Sequence, residues 1–317
     1  MTNNLSDKEK TPISEGQSIL ARIRNYARVQ LHDPQYTLNR YVVERFLARV
    51  SASSYADKIV LRGATLYTVW LDISDTQYRA TRDVDLLMFG SSGAEAIHDV
   101  LADILTINVD DAVNFDITTL KVEPRRNLRT YPGVSATCIA EIASSRTPIS
   151  IDRAFGEAVY PPAMWSDYPT ILGQVMPHIR VYPREVVIAE KAHAIVVLGL
   201  SNTRVKDFYD IWMIARSCTF DAQILVQTVS QTFERRQTNL PLSDVPSGLT
   251  RRFAENVARV AQWKRLRQQV KASFAPASLE DLVDAVRLFL NPILLGELTN
   301  ETWNPASGWE RSSFRDT

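Results

Sequence analysis

The sequence predicts an α+β fold, in which a mixed sheet has helices before it and a helical bundle after it. Three observations support this prediction. Apolar residues recur at helical spacing near the N-terminus, residues 56–157 contain about four or five strand-like segments, and helical spacing returns after Pro183. With 317 residues, the chain can fold as one large domain or as two.

The predicted domains follow these changes of pattern along the chain. They are an N-terminal helical segment (1–55), an α/β core (56–160), a linker (161–182), a C-terminal helical domain (183–300) and a tail (301–317).

Composition places the chain among ordinary globular proteins. It is 45% hydrophobic and 23% charged, and its 36 basic residues balance its 36 acidic ones, so only a local basic patch could bind nucleic acid. Two cysteines are too few for a disulfide framework, and no Cys/His spacing suggests zinc. No apolar run is long enough to cross a membrane, and the polar N-terminus lacks a signal-peptide core. We therefore expect a cytoplasmic protein.

Two helices are predicted in the N-terminal segment. Residues 18–31 and 38–50 carry apolar side chains three and four positions apart. His32-Asp33-Pro34 separates them, because the residue before a proline disfavours helical geometry. These helices carry no recognisable chemistry and are interpreted as scaffold.

The α/β core is predicted from apolar runs that alternate with helical patterns. Strands are expected at 58–61, 84–89, 114–122, 135–143 and 149–151, and helices at 63–71 and 94–105. Pro161-Pro162 then opens a segment rich in turn formers, interpreted as the linker. Beyond it, helices are predicted at 184–198, 206–216, 221–234, 248–272 and 278–290.

Asp83 and Asp85 are the strongest candidates for chemistry. Residues i and i+2 of a strand point to the same face, and an apolar strand follows these two acids directly. Two carboxylates so placed can share Mg²⁺, which prefers oxygen ligands and keeps substrate phosphates in its shell. The alternative interpretation is a solvated strand end, which is the commoner meaning of an isolated Asp-x-Asp.

A small-residue turn, Gly63-Ala64-Thr65, lies one predicted helix before the acid pair. Glycine permits close backbone approach, a helix start offers free N–H groups to an anion, and Thr65 adds a hydroxyl. This pattern predicts a phosphate-holding turn. Considered alone, Gly-Ala-Thr more commonly marks a simple helix start, and its value here comes from lying before the acid pair.

Four residues further along the chain can complete such a site. Asp152 ends an apolar strand and is a candidate third carboxylate for phosphoryl chemistry, although a surface turn with Arg153 is the alternative. Lys191 lies among apolar residues of a predicted helix, where it either extends towards solvent or points into a site. Asp207 and Asp210 share a face of the next helix.

Five motifs in this order resemble a known family. They are Leu-Arg-Gly-Ala-Thr-Leu from Leu61, Arg-x-Thr-x-Asp-x-Asp-Leu from Arg79, Ile-x-Ile-Asp ending at Asp152, Ala-Glu-Lys-x-x-Ala from Ala189, and Arg-x-Lys-Asp-Phe-Tyr-Asp from Arg204. Together, over residues 56–216, they resemble the AbiEii/AbiGii nucleotidyltransferase toxins, a MenT-like branch of the DNA polymerase β-like superfamily. The family's usual Lys-Gly-Gly-Thr is Arg62-Gly63-Ala64-Thr65 in this chain.

The resemblance implies an active Mg²⁺-dependent nucleotidyltransferase with a polymerase β-like fold. Members are toxins of bacterial toxin–antitoxin pairs, and several transfer a nucleotide from an NTP to the 3′ acceptor end of tRNA and so inhibit translation and growth. The implied metal ligands are Asp83, Asp85 and Asp152, with Lys191 and Asp207 as further catalytic residues. The implied nucleotide-binding residues are Gly63, Ala64, Thr65, Arg79, Arg204 and Asp210. Thr81 occupies a position that is phosphorylated in some relatives, where a phosphate would repel the substrate.

The partners expected from this resemblance are an NTP, RNA (with tRNA favoured) and an antitoxin protein. Basic clusters at residues 125–129, 235–236, 251–252 and 264–267 would form an RNA groove if they fall on one face. Solvated helix faces are the alternative for each cluster. Two other functions stay open: a nucleotidyltransferase acting on a protein or a small molecule such as an antibiotic, and a non-catalytic nucleotide-binding module.

Overall fold

The computed structural model describes residues 14–71, 83–89, 93–124, 133–155, 159–270 and 274–311. It confirms the predicted α+β class, with two N-terminal helices, a seven-stranded mixed sheet and a helical C-terminal half. One hydrophobic core runs from the N-terminal helices through the sheet and into the C-terminal helices.

The first two helices are α1 (Glu15–Val29) and α2 (Pro34–Ala52). Asp33 caps α2 by accepting a hydrogen bond from the backbone N–H of Tyr36 at 2.8 Å. Pro34 suits the first turn, where its missing N–H costs nothing. The cap therefore starts α2 four residues before Leu38, where apolar spacing predicts the start of this helix.

The main sheet has seven strands: β1 (Ile59–Arg62), β2 (Asp83–Met88), β3 (Asn114–Pro124), β4 (Gly133–Ile142), β5 (Ser145–Phe155), β6 (Met164–Asp167) and β7 (His178–Val181). Their order across the sheet is β3-β4-β5-β2-β1-β7-β6. The pairs β2–β5 and β1–β7 are parallel and the others are antiparallel. Helices α3 (Tyr67–Trp70) and α4 (Ala94–Leu105) belong to the same half, and α2 packs against β5 and β7.

Residues 161–182, predicted as a linker, contain two strands of the sheet. Strand β7 pairs in parallel with β1, more than a hundred residues earlier, and β6 pairs with β7 at the sheet edge. Each strand has four residues, which is too short for an alternating pattern to stand out from the surrounding prolines. The prediction that this segment lacks regular secondary structure is thus wrong. The predicted division into domains stays a prediction.

The C-terminal half is helical, as predicted. Its helices are α5 (Arg184–Leu198), α6 (Val205–Ser217), α7 (Ala222–Arg235), α8 (Arg251–Ala254), α9 (Val257–Gln269) and α10 (Leu279–Leu294). The predicted helix 248–272 is divided because the Asn256 side chain accepts hydrogen bonds from the N–H groups of Ala258 and Arg259 and starts a new helix there. In the described part of the chain, no helix has the length and apolar character needed to cross a membrane.

The predicted tail folds onto this half. Strands β9 (Glu301–Asn304) and β10 (Gly308–Arg311) form a hairpin that pairs with the two-residue strand β8 (Phe220–Asp221). Trp303 of this hairpin is buried. The end of the described chain is therefore part of the folded structure.

Candidate active site

The predicted acids lie side by side on the paired strands β2 and β5. In the parallel pair β2–β5, Asp85 lies directly opposite Asp152, and Asp83 lies opposite Ser150. Paired residues on neighbouring strands, about 4.8 Å apart, point to the same face, as do residues i and i+2 of one strand. The register thus places Asp83, Asp85 and Asp152 on one face of the sheet.

Burial separates the roles that these acids can take. Val84 and Leu86, on the opposite face of β2, are fully buried and hold the strand in the core. Asp83 is exposed, Asp85 is half-buried and Asp152 is buried. The three carboxylates therefore lie at increasing depth below the surface. Such an arrangement can contact both a substrate that arrives from solvent and a bound cation.

The turn after β1 touches the acid pair directly. Gly63 has a φ of 75°, and a Cβ at this position would overlap the carboxylate of Asp85. Only glycine combines this backbone geometry with such a close approach. In this structure the backbone at Gly63 approaches an aspartate side chain, and its predicted approach to a phosphate stays a prediction.

The predicted helix 63–71 is much shorter than expected. Ala64–Leu66 form a single 3₁₀ turn and only Tyr67–Trp70 are α-helical. The Thr65 hydroxyl donates to the carbonyl of Arg62 at 3.1 Å, and the Ala64 side chain is buried. Four residues are too few for a strong helix N-terminus. Phosphate binding by Gly63, Ala64 and Thr65 stays a prediction.

The helical half contributes a compact charged cluster. The Lys191 Nζ atom lies 2.8 Å from Asp207 Oδ1 and 2.8 Å from Asp210 Oδ2, and Arg204 Nε lies 2.6 Å from Asp207 Oδ2. The spacing of Asp207 and Asp210 thus brings both carboxylates to one lysine, as residues i and i+3 of α6. In this cluster the two cations and two carboxylates balance.

Lys191 is firmly charged in this environment. Burial lowers the pKa of its ammonium group, but the carboxylates of Asp210 and Asp207 outweigh that effect and raise the pKa well above its usual value. Contact between Lys191 and nucleotide phosphates stays a prediction, because the ammonium group is already paired with two aspartates here.

A residue without an assigned role from the sequence, Glu190, joins the two halves of the protein. Its carboxylate lies 3.3 Å from Arg62 Nη2, accepts a hydrogen bond from the Tyr182 hydroxyl at 3.0 Å, and lies 3.5 Å from Arg236 Nη2. Arg62 is paired in register with Asp85, and Glu190 is the neighbour of Lys191. The sheet acids and the helical cluster are thus linked through Arg62 and Glu190.

The sequence held one signal for this link. Glu190 lies within the Ala-Glu-Lys motif, directly before the candidate site residue Lys191. The sequence indicated Arg236 only as part of the basic cluster 235–236, because it reaches Glu190 from the end of α7 only after the helices have packed.

The carboxylates at this site fit Mg²⁺ if substrate phosphates and water supply its remaining ligands. Among the described residues, no group of three or more His, Cys, Asp or Glu side chains could by itself hold a metal ion. Mg²⁺ is commonly held by one or two carboxylates together with substrate phosphates, so Asp83 and Asp85 suit it without a closed cage. The role of Asp152 as third ligand stays a prediction.

Several predicted residues lie outside the described residues. They are Arg79, Thr81 and the basic cluster Arg125, Arg126 and Arg129.

Comparison with known proteins adds the following similarities. A family model described as "Nucleotidyl transferase AbiEii toxin, Type IV TA system" matches residues 45–285. Among solved structures, MenT4, the nucleotidyltransferase toxin Rv2826c of Mycobacterium tuberculosis H37Rv, is similar with a TM-score of 0.49, 13% identity and coverage of 87% of this chain and 98% of that chain. JHP933 of Helicobacter pylori has a TM-score of 0.38, 9% identity and coverage of 76% and 96% respectively. No curated protein sequence matches the chain.

Proposed function

The chain belongs to the AbiEii family of nucleotidyltransferase toxins of type IV toxin–antitoxin systems, and we propose that it transfers a nucleoside monophosphate from an NTP to RNA. The acceptor we favour is the 3′ end of tRNA, because blocking that end stops aminoacylation and so inhibits translation and growth. An antitoxin protein is the expected cellular partner.

One observation carries the proposal. Asp83, Asp85 and Asp152 share one face of the parallel strands β2 and β5, beside a turn whose glycine packs without a side chain against Asp85. Carboxylates grouped in this way suit phosphoryl transfer, where negative charge develops around a phosphorus atom.

The proposed reaction is an in-line displacement at the α-phosphate. A hydroxyl oxygen of the acceptor forms a bond to the α-phosphorus, the bond to the bridging oxygen of the β-phosphate breaks, and pyrophosphate leaves. Asp152, the most buried of the three acids, is the candidate to accept the hydroxyl proton. Asp83 and Asp85 would hold Mg²⁺, which when bound offsets the charge of the phosphates.

The helical half is proposed to hold the nucleotide. Arg204 is half exposed while its guanidinium stays paired to Asp207, so it has donors available at the surface of the cluster. Other exposed basic residues of this half are Arg252, Lys264 and Arg265, whereas Arg251 is paired with Glu255 and Glu280. These residues support RNA as the acceptor, because single-stranded ends are held largely through their phosphates.

Labelled transfer tests the proposal directly. The purified protein is incubated with each α-³²P-labelled NTP, Mg²⁺ and total RNA, and the labelled RNA ends are mapped. We expect label at tRNA 3′ ends, and a loss of at least about 100-fold in Asp85→Asn, because the carboxylate charge is removed with little change of shape. Glu95→Gln, an exposed acid on α4, is the matched control and keeps full activity.

The same assay decides between acceptors. Label in protein or in small molecules, with none in RNA, would contradict the proposed acceptor and keep the enzyme class. Growth inhibition by Asp85→Asn at the wild-type level would show that the toxin acts by binding alone.

A further inference from the structure

Two arginines contact Glu190 at the boundary between the sheet and the helical half. Arg62 on β1 and Arg236 at the end of α7 approach the Glu190 carboxylate at 3.3 and 3.5 Å. Two guanidinium groups thus share the Glu190 carboxylate.

The neighbouring cluster has as many carboxylates as cations. Lys191 and Arg204 are paired with Asp207 and Asp210. Arg62 and Arg236, which share the Glu190 carboxylate, are therefore the better candidates to bind a polyanion that enters between the two halves.

Arg236 is held in a fixed orientation. Its Nη1 lies 3.1 Å from His193 Nδ1, and the His193 Nε2 lies 3.0 Å from the hydroxyl of Thr238. Burial and the Arg236 charge lower the pKa of His193 to about 4, so the ring is neutral at pH 7 and accepts from the guanidinium. An oriented guanidinium loses little entropy when it binds an anion.

Arg62 is oriented in a similar way on the other side. Its guanidinium lies over the Tyr182 ring, 5.4 Å from the centroid, and its backbone is fixed in the sheet opposite Asp85. The Arg62 and Arg236 side chains keep 27% and 17% of their surface exposed, so both can be reached from solvent. Guanidinium groups in such an arrangement suit phosphate oxygens.

We propose that Arg62 and Arg236 bind the terminal phosphates of the NTP, and that the Glu190 carboxylate occupies this subsite in the unliganded protein. The subsite lies one residue from the Gly63 turn and beside Asp85, where the α-phosphate reacts under the proposed function, on which this inference rests. Binding of the terminal phosphates would displace the carboxylate from one or both arginines.

Inorganic tripolyphosphate tests the subsite without a nucleotide or an acceptor. Its dissociation constant is measured by titration calorimetry in EDTA, so that no cation held by Asp83 and Asp85 contributes. Arg236→Ala is expected to weaken binding by about tenfold or more, because charge-assisted hydrogen bonds are lost. Arg24→Ala, an exposed arginine on α1, is the matched control and should stay within about twofold of wild type.

Glu190→Gln separates the two roles that Glu190 can have. If its carboxylate competes with the ligand, the amide variant binds tripolyphosphate several times more tightly than wild type. Binding that weakens in Glu190→Gln as it does in Arg236→Ala would mean that Glu190 only holds the arginines in place, and would overturn the proposal. Unchanged binding in Arg236→Ala would overturn it as well.

Two further results keep the test decisive. If Arg236→Ala does not fold, as judged by circular dichroism, Arg62→Gln carries the same expectation on a different element, and wild-type affinity in that variant would overturn the subsite. A wild-type protein that binds tripolyphosphate in the expected pattern but transfers no label would remove the proposed reaction alone.

Discussion

At the scale of single residues, the site depends on having glycine, which lacks a side chain, at position 63. Gly63 lets the backbone after β1 pack against the Asp85 carboxylate, in a conformation that other residues rarely adopt. Its neighbour Ala64 is buried, so a methyl group at that position packs within the core. The alanine that departs from the family's usual glycine is thus accommodated, whereas the first glycine is required.

Gly63→Ala is expected to reduce transfer by about 100-fold, because the added methyl group displaces the Asp85 carboxylate. Gly173→Ala is the matched control, since Gly173 has a φ of 74° with open space around its missing Cβ. That control loses only the roughly 1 kcal/mol of backbone strain and keeps its activity. Equal activities for the two variants in the labelled assay would contradict the contact with Asp85.

A second residue-scale prediction concerns the charge of Lys191. Lys191→Met leaves Asp207 and Asp210 buried with one cation fewer, and should lower the free energy of unfolding by about 3–5 kcal/mol. Urea denaturation at pH 7 measures this difference. Lys206→Met, an exposed lysine on the same helix, should change stability by less than about 0.5 kcal/mol. Equal stabilities would show that the aspartates do not need Lys191.

At the scale of elements, α2 shows what apolar spacing leaves out. The spacing predicts the helix, but the buried residues of α2 also include four charged side chains: Arg40, Glu44, Arg45 and Arg49. Arg49 makes two hydrogen bonds to the Asp111 carboxylate at 2.7 and 3.0 Å, and Glu44 accepts from the backbone N–H of Ile171 at 3.1 Å. These partners come from loops far along the chain, so no local pattern announces them.

Glu44 makes the stability of the fold depend on pH. Burial raises the pKa of Glu44 from 4.5 to about 7, against the lowering effect of Arg40. Between pH 4.5 and about 7, the folded protein therefore keeps a proton on Glu44 that the unfolded chain has released. The stability that this proton contributes is full below pH 4.5 and is lost as pH rises through about 7.

The expected result is a difference in pH profile between wild type and Glu44→Gln. Urea unfolding from pH 5 to pH 8 should show stability falling with pH in the wild type more steeply than in Glu44→Gln, whose amide does not titrate. Glu15→Gln, an exposed acid at the start of α1, should keep the wild-type slope. Parallel profiles for wild type and Glu44→Gln would contradict the raised pKa.

At the scale of the whole molecule, the C-terminal hairpin completes the helical half. The Trp303 indole N–H donates to the carbonyl of Ala215 at 2.7 Å, and its ring packs edge-on against Phe289 with centroids 4.8 Å apart. Trp309 stacks on the same phenylalanine. A segment predicted as a tail is thus part of the core that supports α6, which carries Asp207 and Asp210.

Trp303→Ala is expected to destabilise the protein by about 3–5 kcal/mol, because a large buried ring is removed and a cavity remains. Differential scanning calorimetry measures the loss. Trp165→Ala is the matched control, since that ring is 47% exposed on β6, and its cost should be about 1 kcal/mol or less. Similar melting temperatures for the two variants would show that the hairpin is not part of the core.

The sequence by itself determined the class of fold, the helices and most strands, and the family to which the chain belongs. Hydrophobic periodicity and motif order are local properties, so they can be read along the chain. Asp83 and Asp85 share a face because of their spacing alone.

Only the tertiary structure decided which distant residues meet. The register of β2 and β5 places Asp152 beside Asp85, and the packing of α7 against α5 brings Arg236 to Glu190, which also meets Arg62 of β1. Strands β6 and β7 were not predicted for the same reason. Each is four residues long, and it forms because a neighbouring strand pairs with it, not because its own sequence has a strong alternating pattern. Pairing across more than a hundred residues depends on the geometry of the whole chain, which no local window of sequence contains.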